Sequence, residues 1–257
     1  MPKPICLAVD AMGGDFGPEV NVPGSLAAAR ETGAAIVLVG DEAAIRQELE
    51  RHPHADVTVD VVHTTQVAGM AEKPSDILRR KKDSSIQVAF RLVRDGQAHG
   101  VVTAGNSGAA LACGMFILGR IAGVDRPALA TILPTLKKPI VLIDVGANAD
   151  CKPYNLVQFG LMAEVLARYV LDISNPKVGI LSIGEEEGKG NALTVSAKTG
   201  EGTGKTRTAA PAGRTHTLSL KPFSFPKFPH ISISFILIKS FRVGRYFLRT
   251  FRLIITL

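Results

Sequence analysis

Short apolar segments alternate with longer segments of helical spacing through most of the chain. The apolar segments predict β-strands at residues 5–10, 35–39, 57–63, 101–103, 128–133, 140–144 and 177–182. The intervening spacing predicts helices at residues 18–31, 42–51, 84–95, 109–120 and 153–170, and Asp41 is predicted to cap the second of them. Strands that alternate with helices predict a parallel sheet covered on both faces.

Polar residues collect where the predicted strands end. Asp10 and Asp15 follow the first strand, residues 103–108 follow a central one, Asp144 and Asn148 follow a later one, and residues 182–191 follow the last. The carboxyl ends of parallel strands share one edge of the sheet, where open α/β folds bind ligands. Ordinary turn chemistry explains the glycines of these loops, but it does not explain why charged residues gather there. The pattern therefore favours a ligand site at this edge.

The turn at residues 103–108 is the strongest candidate for an anion site. Gly105 and Gly108 allow backbone to approach a ligand closely, and Asn106 and Ser107 add small side-chain donors. The first N–H groups of the following helix lack intrahelical partners and lie at the positive end of its dipole. These four residues are predicted to bind phosphate. The alternative is an ordinary strand-to-helix turn, capped by Ser107, with no ligand.

Two familiar nucleotide-binding motifs are absent. Gly105, Gly108 and Gly114 do not have the GxGxxG spacing, and Asp125 stands in a loop rather than at a strand end. The segment Gly202-Thr-Gly-Lys-Thr206 resembles a P-loop, but position 199 is threonine where that motif needs glycine.

The net charge of +7 is unevenly distributed along the chain. Residues 1–191 carry 19 Lys and Arg against 22 Asp and Glu, whereas residues 192–257 carry 11 against one. The excess of positive charge lies in the C-terminal segment, so it does not indicate that the rest of the chain binds nucleic acid. No nucleic-acid partner is predicted.

The three cysteines, Cys6, Cys113 and Cys151, are odd in number and far apart, so neither a disulfide framework nor a metal site is predicted. Cys6 and Cys113 lie in apolar runs, and no histidine lies near Cys151 in the sequence. The six histidines lack ligand spacing, and no cofactor is predicted. The chain begins without a signal peptide, and no uncharged apolar run reaches membrane-spanning length, so a cytoplasmic protein is expected.

Six motifs in order carry a family resemblance over residues 1 to about 193. They are Ala8-Val-Asp-Ala-Met-Gly-Gly-Asp-Phe-Gly-Pro18, Arg80-Lys-Lys-Asp-Ser-Ser85, Thr103-Ala-Gly-Asn-Ser-Gly-Ala109, Asp144-Val-Gly-Ala-Asn148, Asp150-Cys-Lys-Pro153 and Gly184-Glu-Glu-Glu-Gly-Lys-Gly-Asn191. The chain resembles the bacterial phosphate acyltransferase (PlsX) family. The resemblance implies transfer of a fatty acyl group from acyl carrier protein to inorganic phosphate, giving acyl phosphate for phospholipid synthesis. It also implies a truncated three-layer α/β fold of the isocitrate/isopropylmalate dehydrogenase–phosphotransacetylase type, a homodimer and peripheral association with the membrane.

The resemblance assigns roles to two basic features. Lys189 matches the family's active-site lysine, although outside the resemblance it would be interpreted as a solvated lysine beside residues 185–187. Arg79, Arg80, Lys81 and Lys82 form a dense basic run, which is predicted to steer an acidic carrier protein. The alternative for this run is a solvated helix face.

Residues 192–257 do not match the family, so the chain is divided into an incomplete acyltransferase-like region, 1–191, and a basic tail. Seven of the eleven phenylalanines lie in the tail. Such a jump in composition favours a frameshifted or disordered segment. The alternative is an interfacial membrane helix over residues 241–257, with Arg242, Arg245, Arg249 and Arg252 on one face. The chain is accordingly expected to show little or no acyltransferase activity. An inactive fragment, a dehydrogenase and a phosphotransacylase that uses acyl-CoA are the alternative functions.

Overall fold

The computed structural model describes residues 5–148 and 150–181, together with four short strands between residues 236 and 255. The chain divides into two compact units. The first comprises Met1–Gly123 with Ser232–Leu257, and the second comprises Val124–Ile231.

A parallel sheet organises the first unit, as predicted. Its strands are β1 (Cys6–Asp10), β2 (Ala35–Gly40), β3 (Val59–His63) and β4 (Gly100–Thr103), in the spatial order β3-β2-β1-β4. The chain lays β2 and β3 on one side of β1 and then returns to place β4 on the other side. The strand order therefore reverses between β1 and β4, and such a reversal opens a crevice at the carboxyl ends of the strands.

The described residues of this unit form five helices and one π-helical segment. They are α1 (Pro18–Thr32), α2 (Glu42–Arg51), α3 (Pro74–Arg80), α4 (Ser85–Arg94) and α5 (Ser107–Cys113), which continues into the π-helical Gly114–Leu118. Asp41 caps α2 as predicted, because its carboxylate accepts the backbone N–H of Ala44 at 2.9 Å. The sequence analysis missed α3, and the helix predicted to end at Arg120 ends at Leu118.

The core of the first unit lies against the sheet. Val9, Val22, Leu26, Ile36, Leu38 and Ile45 form one buried cluster between the strands and the helices α1 and α2. Ile86 and Phe90 of α4 are fully buried as well. Each such side chain contributes roughly 1.5–3 kcal/mol through burial, and this fixes the strand ends that carry the polar loops.

The second unit differs from the sequence prediction in two places. Strands β5 (Ala128–Leu133) and β6 (Ile140–Ile143) pair antiparallel, because the short connection between them cannot hold the crossover that parallel strands need. Helix α6 (Pro153–Val170) has the predicted bounds. The strand predicted at residues 177–182 does not form within 177–181, where only Gly179 makes an isolated bridge.

The described residues of the tail form four short strands: β7 (Ile236–Ile238), β8 (Phe241–Val243), β9 (Tyr246–Leu248) and β10 (Phe251–Ile255). Strand β7 runs parallel beside β4, β10 pairs antiparallel with β7, and β8 pairs with β9. The alternative of an interfacial helix over residues 241–257 is therefore wrong. Phenylalanine, tyrosine, valine and isoleucine dominate these segments, and aromatic and β-branched residues favour strands. In the described part of the chain, no helix is long and apolar enough to span a membrane.

Candidate functional site

A buried carboxylate lies at the point where the strand order reverses. Asp10 is the last residue of β1 and is 2% exposed. One carboxylate oxygen accepts the Ser85 hydroxyl at 2.6 Å, and the other accepts the Thr103 hydroxyl at 2.6 Å. The backbone N–H groups of Met12 and Gly13 also donate to it. Asp10 was predicted to line a ligand cleft, but both of its oxygens are directed at protein donors.

Burial raises the pKa of the Asp10 carboxyl, because removal from water disfavours the charged form. The four donors, from two side chains and two backbone amides, act in the opposite direction and offset part of this effect. The carboxyl is therefore held by a nearly complete set of donors in a site from which water is excluded.

The Thr103 hydroxyl connects Asp10 to the predicted phosphate turn. Its oxygen accepts the backbone N–H of Gly105 at 3.0 Å while its hydrogen is donated to Asp10. The loop after β1 packs onto the same point: a Cβ placed on Gly13 would lie 2.6 Å from the Asp10 carboxylate and 2.9 Å from the Gly105 nitrogen. The two loops touch here through backbone, which explains the need for glycine at position 13.

Asn106, rather than Ser107, caps α5. Its side-chain oxygen accepts the backbone N–H of Ala109 at 3.0 Å. Its side-chain nitrogen donates to three carbonyl oxygens of the preceding loop, those of Gly69, Met70 and Glu72, at 2.9–3.2 Å. The amide of Asn106 thus fastens residues 69–72 to the turn.

Gly108 is required by packing between two helices. A Cβ at this position would lie 2.8 Å from the Pro74 ring at the start of α3. The glycine therefore lets α3 approach the first turn of α5. A larger residue at position 108 would displace α3, whether or not a ligand binds at the turn.

Three backbone donors remain at the start of α5. The N–H groups of Gly105 and Ala109 are donated to side chains, as described above. The N–H groups of Asn106, Ser107 and Gly108 donate to no other residue in the described part of the chain. These three groups lie at the N-terminal end of α5, and N–H groups without intrahelical partners at a helix N-terminus are a common anion-binding feature of proteins.

The other predicted cleft residues have different environments. Asp15 is exposed in the loop after β1. In the second unit, the Asp144 carboxylate accepts the backbone N–H groups of Ala147 at 3.1 Å and Asn148 at 3.0 Å, so it organises its own loop. The Asn148 amide donates to the Pro127 carbonyl at 3.0 Å. Lys189 lies outside the described residues.

The basic run separates into exposed and bound members. Arg79 and Arg80 lie exposed in the last turn of α3, and Lys82 is exposed just beyond it. The Lys81 ammonium group instead bonds Glu72 at 2.5 Å and the Val67 carbonyl at 2.7 Å. Lys81 therefore holds the loop before α3. Arg79, Arg80 and Lys82 keep their side chains exposed, and Arg80 also forms an ion pair with Asp76 of the same helix at 4.0 Å.

The cysteines are thiols shielded from solvent to different degrees. Burial and the nearby Asp10 charge raise the pKa of Cys113 to about 12, so it stays protonated at neutral pH. Burial also raises the pKa of Cys151, as does the charge of Asp144. Neither thiol has the lowered pKa that a nucleophilic cysteine needs. Within the described ranges, no group of three or more His, Cys, Asp or Glu residues could hold a metal ion.

Sequence reasoning missed the partners of Asp10. Ser85 was interpreted as part of a helix start, and Thr103 as the end of a strand. A hydroxyl residue at each of these positions was the available signal, but the contact joins residues 75 and 93 positions away from Asp10. The pairing of β1 with β4 brings Thr103 to Asp10, and the packing of α4 against β1 brings Ser85 there.

The fold is of the phosphotransacetylase type. The chain superimposes on a phosphotransacetylase from Streptococcus pyogenes with a TM-score of 0.57 at 17% identity, covering 79% of this chain and 67% of that one. The family described as "Fatty acid synthesis protein" matches residues 5–205. The chain belongs to this family.

Curated relatives share the name "Phosphate acyltransferase". The protein of Oleidesulfovibrio alaskensis is 67% identical over 191 residues, which is 74% of this chain and 55% of the relative. The proteins of Lawsonia intracellularis and Geobacter sulfurreducens are 61% and 54% identical over 193 and 188 residues, respectively 75% and 73% of this chain and 56% and 54% of those relatives. The chain spans about half the length of the curated relatives it matches.

Proposed function

We propose that the chain carries the phosphate-binding part of an enzyme that transfers a fatty acyl group from acyl carrier protein to inorganic phosphate. The observation that carries the proposal is a set of three backbone N–H groups, those of Asn106, Ser107 and Gly108, which donate to no other described residue. They lie at the end of β4, where the strand order of the sheet reverses. The name of the relatives supports the reaction. The product is an acyl phosphate, an activated acyl donor for phospholipid synthesis.

The reaction makes clear demands on the site. A phosphate oxygen attacks the thioester carbonyl carbon, a C–O bond forms and the C–S bond breaks, and the departing thiolate takes up the proton that the phosphate loses. The three N–H groups would hold the phosphate, and hydrogen bonds to a charged group are worth about 1.5–3 kcal/mol each. A cation beside the developing oxyanion lowers the barrier, which is the role that the proposal gives to Lys189. The proposal includes no metal and no cofactor.

The exposed cations of the basic run define the proposed docking surface. Arg79, Arg80 and Lys82 extend from the end of α3, and the start of that helix packs against Gly108 at the turn. An acidic carrier protein attracted to these cations would be delivered near the phosphate. A cytoplasmic homodimer that associates peripherally with the membrane completes the proposal.

The purified 257-residue chain tests the proposal in two measurements. Calorimetry with inorganic phosphate, and with sulfate for comparison, reports on binding. An assay of acyl phosphate formation, with acyl carrier protein and with acyl-CoA as donors, reports on the reaction. Turnover with acyl carrier protein supports the full proposal, and turnover with acyl-CoA alone favours a phosphotransacylase. Phosphate binding without turnover identifies a binding part that lacks catalytic groups, and absence of phosphate binding overturns the proposal.

A further inference from the structure

We propose that Asp10 is the positioning residue of the phosphate turn: it fixes the direction of the Gly105 amide and the spacing of the two loops without contacting the substrate. This inference rests on the proposed function. It deepens that proposal by assigning the preorganisation of the turn to one buried side chain.

The hydrogen bonds around Thr103 can run in one direction only. A threonine hydroxyl has one hydrogen, and here it is donated to Asp10. The oxygen of Thr103 is therefore left to accept from Gly105. The chain of bonds runs from the Gly105 amide through Thr103 to the carboxylate, and it ends on an acceptor-only group. Asparagine at position 10 would place an NH₂ donor among these donors and disturb this order.

The Gly105 amide determines which donors remain for a ligand. Its N–H is directed inward at Thr103, so the peptide plane between Ala104 and Gly105 has a fixed orientation. The next three N–H groups follow this plane into the first turn of α5 and donate to no other described residue. Rotation of that plane would change the direction of the following amides. Preorganised donors bind an anion better than donors that must first be ordered.

The Asp10 carboxylate also holds the loops in contact. Asp10 accepts from the backbone of Met12 and Gly13, as well as from Ser85 at the start of α4. Its carboxylate thus joins three segments, those that follow β1, precede α4 and follow β4. Gly13 fits against both the carboxylate and the Gly105 nitrogen only because it has no side chain.

The test compares Asp10→Asn with a control that lowers stability elsewhere, Leu49→Ala in α2, where Leu49 is 7% exposed. Both variants of the 257-residue chain are studied at a temperature where circular dichroism shows them folded. Calorimetry with inorganic phosphate is expected to show affinity reduced about tenfold or more in Asp10→Asn and unchanged in Leu49→Ala. Equal affinity in Asp10→Asn and the wild type would overturn the inference.

A second measurement does not depend on phosphate. Hydrogen exchange of the Gly105 amide, followed by NMR, is expected to be at least tenfold faster in Asp10→Asn and in Thr103→Val, and unchanged relative to neighbouring amides in Leu49→Ala. If the wild-type chain binds no phosphate, the proposed function fails, while this exchange pattern still supports the positioning role. If the Gly105 amide is as well protected in Asp10→Asn and Thr103→Val as in the wild type, the positioning role is overturned even if phosphate binds. Gly13→Ala, which alters spacing but removes no donor, is expected to weaken phosphate binding as well.

Discussion

Asp10 and Thr103, the last residues of β1 and β4, are register partners across neighbouring parallel strands, and a 2.6 Å hydrogen bond joins their side chains. The two strands are separated by most of the first unit in sequence, and the strand order reverses between them. The bond therefore joins the ends of these two strands at the position where ligands bind in folds of this kind. The hydrogen-bonded pair of Asp10 and Thr103 therefore lies directly beside the candidate phosphate turn.

Loss of the Thr103 hydroxyl should destabilise the chain. Thr103→Val preserves the shape of the side chain but leaves Asp10 without one donor and Gly105 without its acceptor. Buried polar groups left unpaired cost about 1–3 kcal/mol each, so we expect a loss of about 2–3 kcal/mol, or roughly 4–12 °C in melting temperature. Thr103→Ser keeps the hydroxyl and should lose less, about 1 kcal/mol. Equal losses in the two variants, measured by urea unfolding, would contradict this account.

The pH dependence of stability should carry the signature of Asp10. Burial raises its pKa in the folded chain above the ordinary value of 3.8, so the folded state binds more protons than the unfolded state between the two pKa values. The contribution of this group to the free energy of unfolding is fully present below about pH 4 and falls as the pH rises through the folded pKa.

The measurement compares the free energy of unfolding of the wild-type chain with that of Asp10→Asn from pH 3 to pH 8. Asparagine does not titrate, so the advantage of the wild type should shrink as the pH rises. A constant difference, or one that grows with pH, would show that the donors around Asp10 outweigh its burial.

The sequence predicted the scaffold well because its signals are local. Short apolar segments, separated by segments of helical spacing, predicted β1, β2 and β4. Asp41 indicated the start of α2, and its capping contact is with a residue only three positions away. The bounds of α6 followed from Pro153 and the helical spacing. The antiparallel pairing of β5 with β6 was not predicted, because strand direction depends on the connection rather than on the apolar run itself.

The candidate site was predicted less completely because its contacts are long-range. The glycines at positions 105 and 108 were interpreted as room for a ligand, whereas Gly108 makes room for Pro74 of a helix that the sequence analysis missed. Asn106 was predicted to donate to an anion, but its amide donates to three carbonyl groups of the protein. In each case, the residue type was informative and the partner could be known only from the fold.

The basic run should divide into two kinds of residue on mutation. Charge reversal of both Arg79 and Lys82 to glutamate is expected to raise the dissociation constant for acyl carrier protein about tenfold at low salt, and to weaken its salt dependence. Arg46→Glu, a reversal of an exposed cation on α2, is the control and should have little effect. Lys81→Ala should instead lower the melting temperature, because it releases Glu72 and the Val67 carbonyl. Equal weakening by Arg46→Glu would indicate unspecific attraction rather than a docking surface.

The phosphate turn can be tested by removing a single backbone donor. Proline has no N–H but is favoured at the first position of a helix, which Ser107 occupies. Asn106 precedes it with φ −64° and ψ 111°, a conformation compatible with a following proline. Ser107→Pro therefore deletes one of the three available donors with little strain, whereas substitution of Gly108 would collide with Pro74.

We expect Ser107→Pro to weaken the binding of inorganic phosphate by about tenfold to a hundredfold, since a hydrogen bond to a charged group is worth about 1.5–3 kcal/mol. Ser107→Ala is the matched control, because it removes the same hydroxyl and keeps the N–H. Calorimetry on the two variants separates the contributions of the backbone and the side chain: a larger loss in the proline variant assigns the binding to the backbone. Equal losses would assign it to the hydroxyl, and unchanged affinity in both would place the phosphate elsewhere in the protein.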